Sequence, residues 1–368
     1  MATVRAAVAA LAAVSVALAA SLGAGRAASA TAPPADGVDA PLPEHLADTG
    51  LYAPGSSTDP RDGVLGFTPQ YPLWSDGATK RRWLALPPGG FIDGTSPDAW
   101  AFPPGTRLWK EFALGGRRIE TRYIERTPRG AWRFASYVWN EAGDDAVLAP
   151  ARGIRALAVA AAPGGRYAVP GRTDCLACHG GSPVPVLGAS ALQLSPARDP
   201  LATGASPPRP DAVDLRGLAE RGLLRGLPPE LLAEPPRIPA RSPLERAALG
   251  TLHGNCAHCH HRAGTQVPLA LTLAQRVADP AAALHEVLQS TLGAASRFRP
   301  PGSAAEAHIV VPGQPEDSVL TLRMASRQPQ RQMPPLGTEL PDTEGLALVQ
   351  RWIASALPPP DPRQEIHP

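Results

Sequence analysis

The chain has 368 residues, with 35 lysines and arginines against 33 aspartates and glutamates, a formal net charge of +2. A balance this close to neutrality excludes the basic footprint of a nucleic-acid binder and the polybasic surface of a protein lying on anionic membranes. Four cysteines are too few for a disulfide-dense scaffold, and 45 prolines, far above the usual share of about 5%, predict short elements joined by loops.

Residues 1–30 read as a secretory signal. Arg5 opens them, residues 6–24 are almost entirely Ala, Val and Leu, and Ala28-Ser29-Ala30 supplies a small-residue cleavage site, so the expected cut follows Ala30. An uncleaved membrane anchor is the alternative, although alanine is a poor residue for a stable span. No cysteine follows the apolar run closely, so no lipid anchor is indicated. The expected product is exported or periplasmic, formally neutral, and not stably inserted in a membrane after cleavage. Residues 31–62, rich in Ala, Pro, Gly and Asp, read as a leader, with Leu46, Leu51 and Tyr52 as first anchors.

Residues 63–150 change character. Six of the seven tryptophans fall here: Trp74, Trp83, Trp100, Trp109, Trp132 and Trp139. The segments 82–86, 106–112, 118–126 and 132–139 are short, mostly alternate polar with apolar residues, and are punctuated by Gly and Pro. That pattern predicts antiparallel strands, with hairpin turns at Gly115-Gly116 and Pro128-Arg129-Gly130. Core packing of a small sheet accounts for the tryptophans. The sharper reading makes some of them walls of a ligand pocket.

The first chemical motif follows at once. Cys175-Leu176-Ala177-Cys178-His179 reads C-x-x-C-H, and so does Cys256-Ala257-His258-Cys259-His260. This is the attachment signature of c-type haem, in which two thiols form thioethers and the adjoining histidine ligates the iron. The two copies use all four cysteines of the chain. A zinc ribbon sets its two C-x-x-C knuckles about 15–20 residues apart, whereas 77 residues lie between Cys178 and Cys256. A redox-active dithiol has no need of the histidine. Two covalently attached haem c groups are therefore expected, on Cys175 and Cys178 and on Cys256 and Cys259, with His179 and His260 as iron ligands.

Residues 63–195 are thus a β-rich domain carrying haem 1, and 196–240 a linker. From Ser242 the period becomes helical: Ser242-Pro243-Leu244-Glu245 is a capping box with proline at the first helical position, and Leu244, Ala248 and Leu252 recur on one face. Further helices are expected over 280–289 and 315–323. A last helix follows Asp342, with a stripe of Leu346, Val349, Trp352 and Ile353. Residues 241–358 accordingly read as a cytochrome c domain carrying haem 2, and 359–368 as a tail. The predicted fold class is α+β, an N-terminal antiparallel β-rich haem domain followed by an all-α class I cytochrome c domain.

Met333, in Gln332-Met333-Pro334-Pro335, is the expected sixth ligand of haem 2, because a thioether on a proline-stiffened loop favours ferrous iron. Met324 reads as core packing. His253, His258, His261 and His308 read as surface or propionate-contacting residues, and Lys80 and Arg81 are placed to neutralise propionates. The second axial position of haem 1 stays open between a histidine from elsewhere and a vacant site.

Several stretches together resemble a family of exported bacterial dihaem c-type cytochromes. They are Trp74-Ser75-Asp76-Gly77-Ala78, Lys80-Arg81-Arg82, Phe102-Pro103-Pro104-Gly105-Thr106 with Trp109-Lys110 and Phe112, Glu120-Thr121-Arg122, Tyr137-Val138-Trp139-Asn140, Asp174-Cys175 through His179, Leu187-Gly188 with Gln193-Leu194, and Asn255 through His260. The resemblance spans about residues 45–357. Relatives of this module accompany quinoprotein domains like sorbosone and glucose dehydrogenases, which implies electron acceptance from such a dehydrogenase. Residues 102–179 also resemble, more loosely, the β-rich cytochrome P460 and c′-β domains. The expected function is electron transfer between redox partner proteins. The rival is a haem enzyme, peroxidase-like or P460-like, with an open site at haem 1 and haem 2 as relay.

Overall fold

Short strands between residues 65 and 148 build a six-stranded antiparallel sheet. In spatial order it runs β1 (Leu65–Gly66), β2 (Thr79–Ala85), β4 (Arg107–Leu114), β5 (Arg117–Arg126), β6 (Trp132–Trp139) and β7 (Ala146–Leu148). These strands belong to a computed structural model that describes residues 40–262, 270–300 and 306–356. The signal read over 1–30, residues 31–39 of the leader and the tail at 359–368 lie outside the described residues. Gly115 and Gly116, at φ 57° and 78°, make the β4–β5 turn, where both central positions of a two-residue hairpin call for the left-handed region.

The sheet has two different faces. On one, Trp83, Trp109, Tyr123, Tyr137 and Trp139 pack with Leu46, Leu51 and Tyr52, so the expected anchors of the leader are buried side chains under the sheet. Thr49 tightens this contact by accepting a hydrogen bond from Trp109 Nε1 at 2.9 Å. The other face carries Leu84 and Leu108 into the larger core.

Smaller elements flank the sheet. β3 (Ile92–Asp93) pairs in parallel with β10 (Leu224–Arg225), and β8 (Ile154–Ala158) forms a hairpin with β9 (Arg166–Val169). The helices are α1 (Arg172–His179), α2 (Leu215–Glu220), α3 (Glu230–Ala233), α4 (Pro243–Cys256), α5 (Pro280–Thr291), α6 (Val319–Ala325) and α7 (Thr343–Ser355). Ser242 caps α4 through the Glu245 amide at 3.1 Å, and Asp342 caps α7 through the Gly345 amide at 2.9 Å, as their sequence context predicts. The stripe of α7 is shifted: Leu348 is buried with Val349, Trp352 and Ile353, while Leu346 is only half-buried.

One apolar cluster runs from Phe67 to Ala356. It takes Leu84 and Leu108 from the sheet, Leu249 and Leu252 from α4, and Trp352 and Ile353 from α7. Residues 196–240, read from sequence as a connection, supply Val213, Leu215, Leu218, Leu224, Leu227 and Ile238 to the same cluster. Among the described residues no helix is long and apolar enough to cross a membrane.

Candidate functional site

A helix puts residues three and four apart on one face. α1 therefore presents Cys175, Cys178 and His179 together. Its start is fixed by Asp174, whose carboxylate accepts a hydrogen bond from the Gly171 amide at 2.9 Å. His179 lies 5.2 Å, centroid to centroid, from the ring of Phe134 on β6. Its Nδ1 is 2.5 Å from the carbonyl of Pro185, which can only accept. The proton therefore sits on Nδ1 and leaves the Nε2 lone pair free, the tautomer an iron ligand needs.

The second motif continues α4. The amides of Cys259 and His260 both donate to the carbonyl of Cys256, at 3.1 and 2.9 Å, so the helical turn is carried through to His260. His260 is buried, and among the described residues its Nδ1 has no partner.

Both motifs open onto one cavity of about 1200 Å³. Cys175, Cys178, His179, Cys256, Cys259, His260 and Met333 all line it. Ordinary small-molecule sites occupy roughly 300–1,000 Å³, so this one suits more than a single drug-sized ligand. The motifs touch: Cys259 Sγ is 4.0 Å from the carbonyl oxygen of Ala177.

A covalent haem, a zinc knuckle and a redox-active dithiol ask different things of these donors. No disulfide joins the four cysteines. Among the described residues no three His, Cys, Asp or Glu side chains converge as a metal cage, so the thiols are not arranged as a zinc knuckle. Burial pushes the Cys175 thiol up to about 11 and the Cys256 thiol up to about 12, and it also raises Cys178 and Cys259. Such thiols are protonated, unlike the thiolates of redox-active dithiols. Burial likewise lowers His179, His253 and His258 to about 4 and brings His260 down, keeping these imidazoles neutral. The lining holds polar atoms with no protein partner among the described residues, including His261 Nε2, Gln275 Nε2 and Oε1, Arg327 Nε and Thr338 Oγ1.

Met333 is reached through α6. Its amide donates to the carbonyl of Arg323 at 3.0 Å, and a cis bond joins it to Pro334. The loop beyond it is fastened by the first half of the chain. Asp76 accepts hydrogen bonds from the amides of Glu339 (2.9 Å) and Leu340 (2.8 Å), and Trp74 Nε1 donates to the carbonyl of Leu340 at 3.0 Å. The Trp74 amide donates to Asn255 Oδ1 at 2.7 Å, one residue before Cys256. The Trp74–Asp76 stretch thus ties the sheet side both to the second C-x-x-C-H motif and to the loop that follows Met333. Met324 is half-buried against the core and also lines the cavity.

Of the expected propionate partners, Arg81 faces away from the cavity, 3.8 Å from Glu111 on the opposite side of the sheet. Lys80 Nζ donates to the carbonyl of Leu73 at 2.9 Å. On strands β2, β4 and β5 the cations that line the cavity are instead Arg82, Lys110 and Arg122, which alternation along the strands would have grouped once the register was known. The tryptophans divide. Trp83, Trp109 and Trp139 belong to the core under the sheet, Trp132 packs on Phe102, and Trp74 and Trp100 line the cavity, which Trp109 also borders.

Comparison with family models, with curated proteins and with solved structures gave no match for the chain.

Proposed function

We propose that the chain is an exported dihaem c-type cytochrome that transfers electrons between redox partner proteins, with a quinoprotein dehydrogenase as the donor. Cys175 and Cys178 would hold one haem c, Cys256 and Cys259 the other, with His179 and His260 as proximal ligands and Met333 as the second axial ligand of the C-terminal haem. The observation that carries this reading is the shared cavity, in which two C-x-x-C-H motifs far apart in sequence meet at Cys259 and Ala177. Covalently bound haem supplies reversible one-electron chemistry.

The protein's own contribution is positional. The Pro185 carbonyl holds the His179 ring in its ligating tautomer. The strap at Trp74 and Asp76 limits the motion of the methionine loop. Apolar walls such as Val186, Leu192 and Leu252 reduce water access, which favours ferrous iron and keeps reorganisation small.

Pyridine haemochrome analysis of the purified exported protein tests the reading. Two haem c per chain are expected, and a colourless protein would overturn it. Carbon monoxide added to the reduced protein tests the carrier role: failure to bind at either iron is expected, and stoichiometric binding at one would replace a pure carrier with a haem enzyme.

A further inference from the structure

The sheet wall of the cavity carries an unbalanced row of positive charge. Register places Arg82 on β2 directly opposite Lys110 on β4, and Lys110 directly opposite Arg122 on β5. All three line the cavity. Like charges directly opposite across strands repel. Here they are half-buried in the cavity wall: desolvation first, then Arg82, Arg122 and Lys80, push the Lys110 ammonium well down, and desolvation lowers Arg82 to about 10.

The protein neutralises only one of the three. Glu120 engages Arg122 through two hydrogen bonds, at 3.0 and 3.1 Å, and its Oε2 also accepts from the Tyr167 hydroxyl at 2.7 Å. That carboxylate is committed to Arg122 and Tyr167. Neither Arg82 nor Lys110 has a carboxylate partner among the described residues. Lys110 Nζ stands 4.8 Å from the centre of the Phe112 ring, which Arg122 also faces at 4.3 Å. A ring face offers about 0.5–2 kcal/mol to a cation. The ring carries no formal charge and is shared with Arg122, so it does not neutralise the row. The row lacks an anion.

We infer that Arg82 and Lys110 form a carboxylate-binding site in the wall beside the first C-x-x-C-H motif. The inference rests on the haem reading for one of its two sources of carboxylate, the propionates of the first haem. The other is a free small carboxylate drawn into the cavity. Arg122 stays committed to Glu120 and serves as the fixed end of the row.

Spectroelectrochemical titration of the holoprotein, with and without acetate, tests this in the wild type and in the variants Lys110→Met, Lys110→Arg and Arg82→Gln. A cation beside a haem favours its ferrous form, so its removal lowers the midpoint potential. Lys110→Met and Arg82→Gln should each lower the potential of one haem by about a tenfold change in its reduction equilibrium, roughly 59 mV for one electron. Lys110→Arg should restore it. A shift independent of acetate assigns the propionates. An acetate dependence in the wild type that both charge-removing variants lose assigns a free carboxylate. Unchanged potentials with no acetate dependence would overturn the site, and so would conversion of a low-spin haem to high-spin in Lys110→Met, because the amine would then be an iron ligand. A wild-type protein without haem would refute the proposed function and not this site. Acetate would then be read by melting temperature, with a rise lost in Lys110→Met as support and no rise as refutation.

Discussion

Cys259 Sγ lies 4.0 Å from the carbonyl oxygen of Ala177, so one C-x-x-C-H segment rests on the other. With a haem at each motif, as proposed, charge on one iron would be felt at the other. At an effective dielectric of 20, a unit charge about 10 Å away is worth roughly 1.7 kcal/mol, or about 70 mV for one electron. The two sites are expected to titrate as a coupled pair rather than as independent centres. Replacing Cys256 and Cys259 by serine should empty the second site and shift the potential of the first by some tens of millivolts. An unshifted potential in a folded, single-haem variant would show that the contact carries no coupling.

Asp76 is the one non-glycine residue at positive φ (50°) among the described residues, and its carboxylate holds the amides of Glu339 and Leu340. A strained backbone maintained for two hydrogen bonds points to a fastening role. Asp76→Gly keeps the backbone easily and deletes the carboxylate, so any loss belongs to the hydrogen bonds. The far-red Fe–S charge-transfer band should be present in this variant at low temperature and bleach several degrees below the wild type on warming. Met333→Ala should lack the band at every temperature. Wild-type behaviour of Asp76→Gly would free the methionine loop from this strap.

Helix α4 accepts Tyr71 only because two of its residues have no side chain. A Cβ on Gly250 would stand 2.0 Å from Tyr71 Cε1, and one on Gly254 would stand 2.3 Å from the Tyr71 carbonyl oxygen. Tyr71 is also fixed by its hydroxyl, which donates to Asp199 Oδ2 at 3.1 Å. Gly250→Ala should therefore cost about 3 kcal/mol or more, the upper end for overpacking. Tyr71→Ala should cost about 3–5 kcal/mol through the void it leaves. The double variant should lose clearly less than the sum, since the small residue makes room for the new methyl. Denaturant titration of all three proteins measures the coupling, and simple additivity would disprove the contact.

What a linear reading could reach was local. The spacing of Cys175, Cys178 and His179 is a helical face, and the cap at Ser242 needs only four consecutive residues. Gly115-Gly116 marks its hairpin because few other pairs tolerate that backbone. Strand parity was out of reach. A choice between Arg81 and Arg82 as the cavity residue depends on which face of β2 meets the core, and pairing with β4 decides that. The β4–β5 ladder even shifts register between Phe112 and Ala113. Long-range contact was equally hidden: nothing in the composition around Tyr71 announces Gly250, and nothing near Ala177 announces Cys259. The stretch 196–240 read as a connection because its apolar residues are spaced among prolines, yet Leu215 and Leu218 are fully inside. Their burial is a property of the whole core and not of their neighbours in sequence.

Glu245 closes the frame that carries the second motif. It is the third residue of α4, and its carboxylate takes hydrogen bonds from the Arg241 amide (2.9 Å), the Arg241 guanidinium (2.6 Å) and Trp352 Nε1 on α7 (3.3 Å). Burial alone would raise its pKa. The bonds from Arg241 and Trp352 outweigh burial and hold it below the ordinary 4.5. A carboxyl whose folded value is depressed contributes stability above its unfolded pKa and loses it as pH falls through the folded one. The wild type should accordingly lose stability as pH drops below about 4.5. Glu245→Gln should cost about 1–2 kcal/mol at neutral pH, since a charge-assisted bond to a buried carboxylate is lost while the half-exposed Arg241 is solvated by water. Its stability should also fall less steeply on the acid side. Melting temperatures of both proteins across pH 3–7 measure this, and parallel curves would show that Glu245 contributes nothing through its charge.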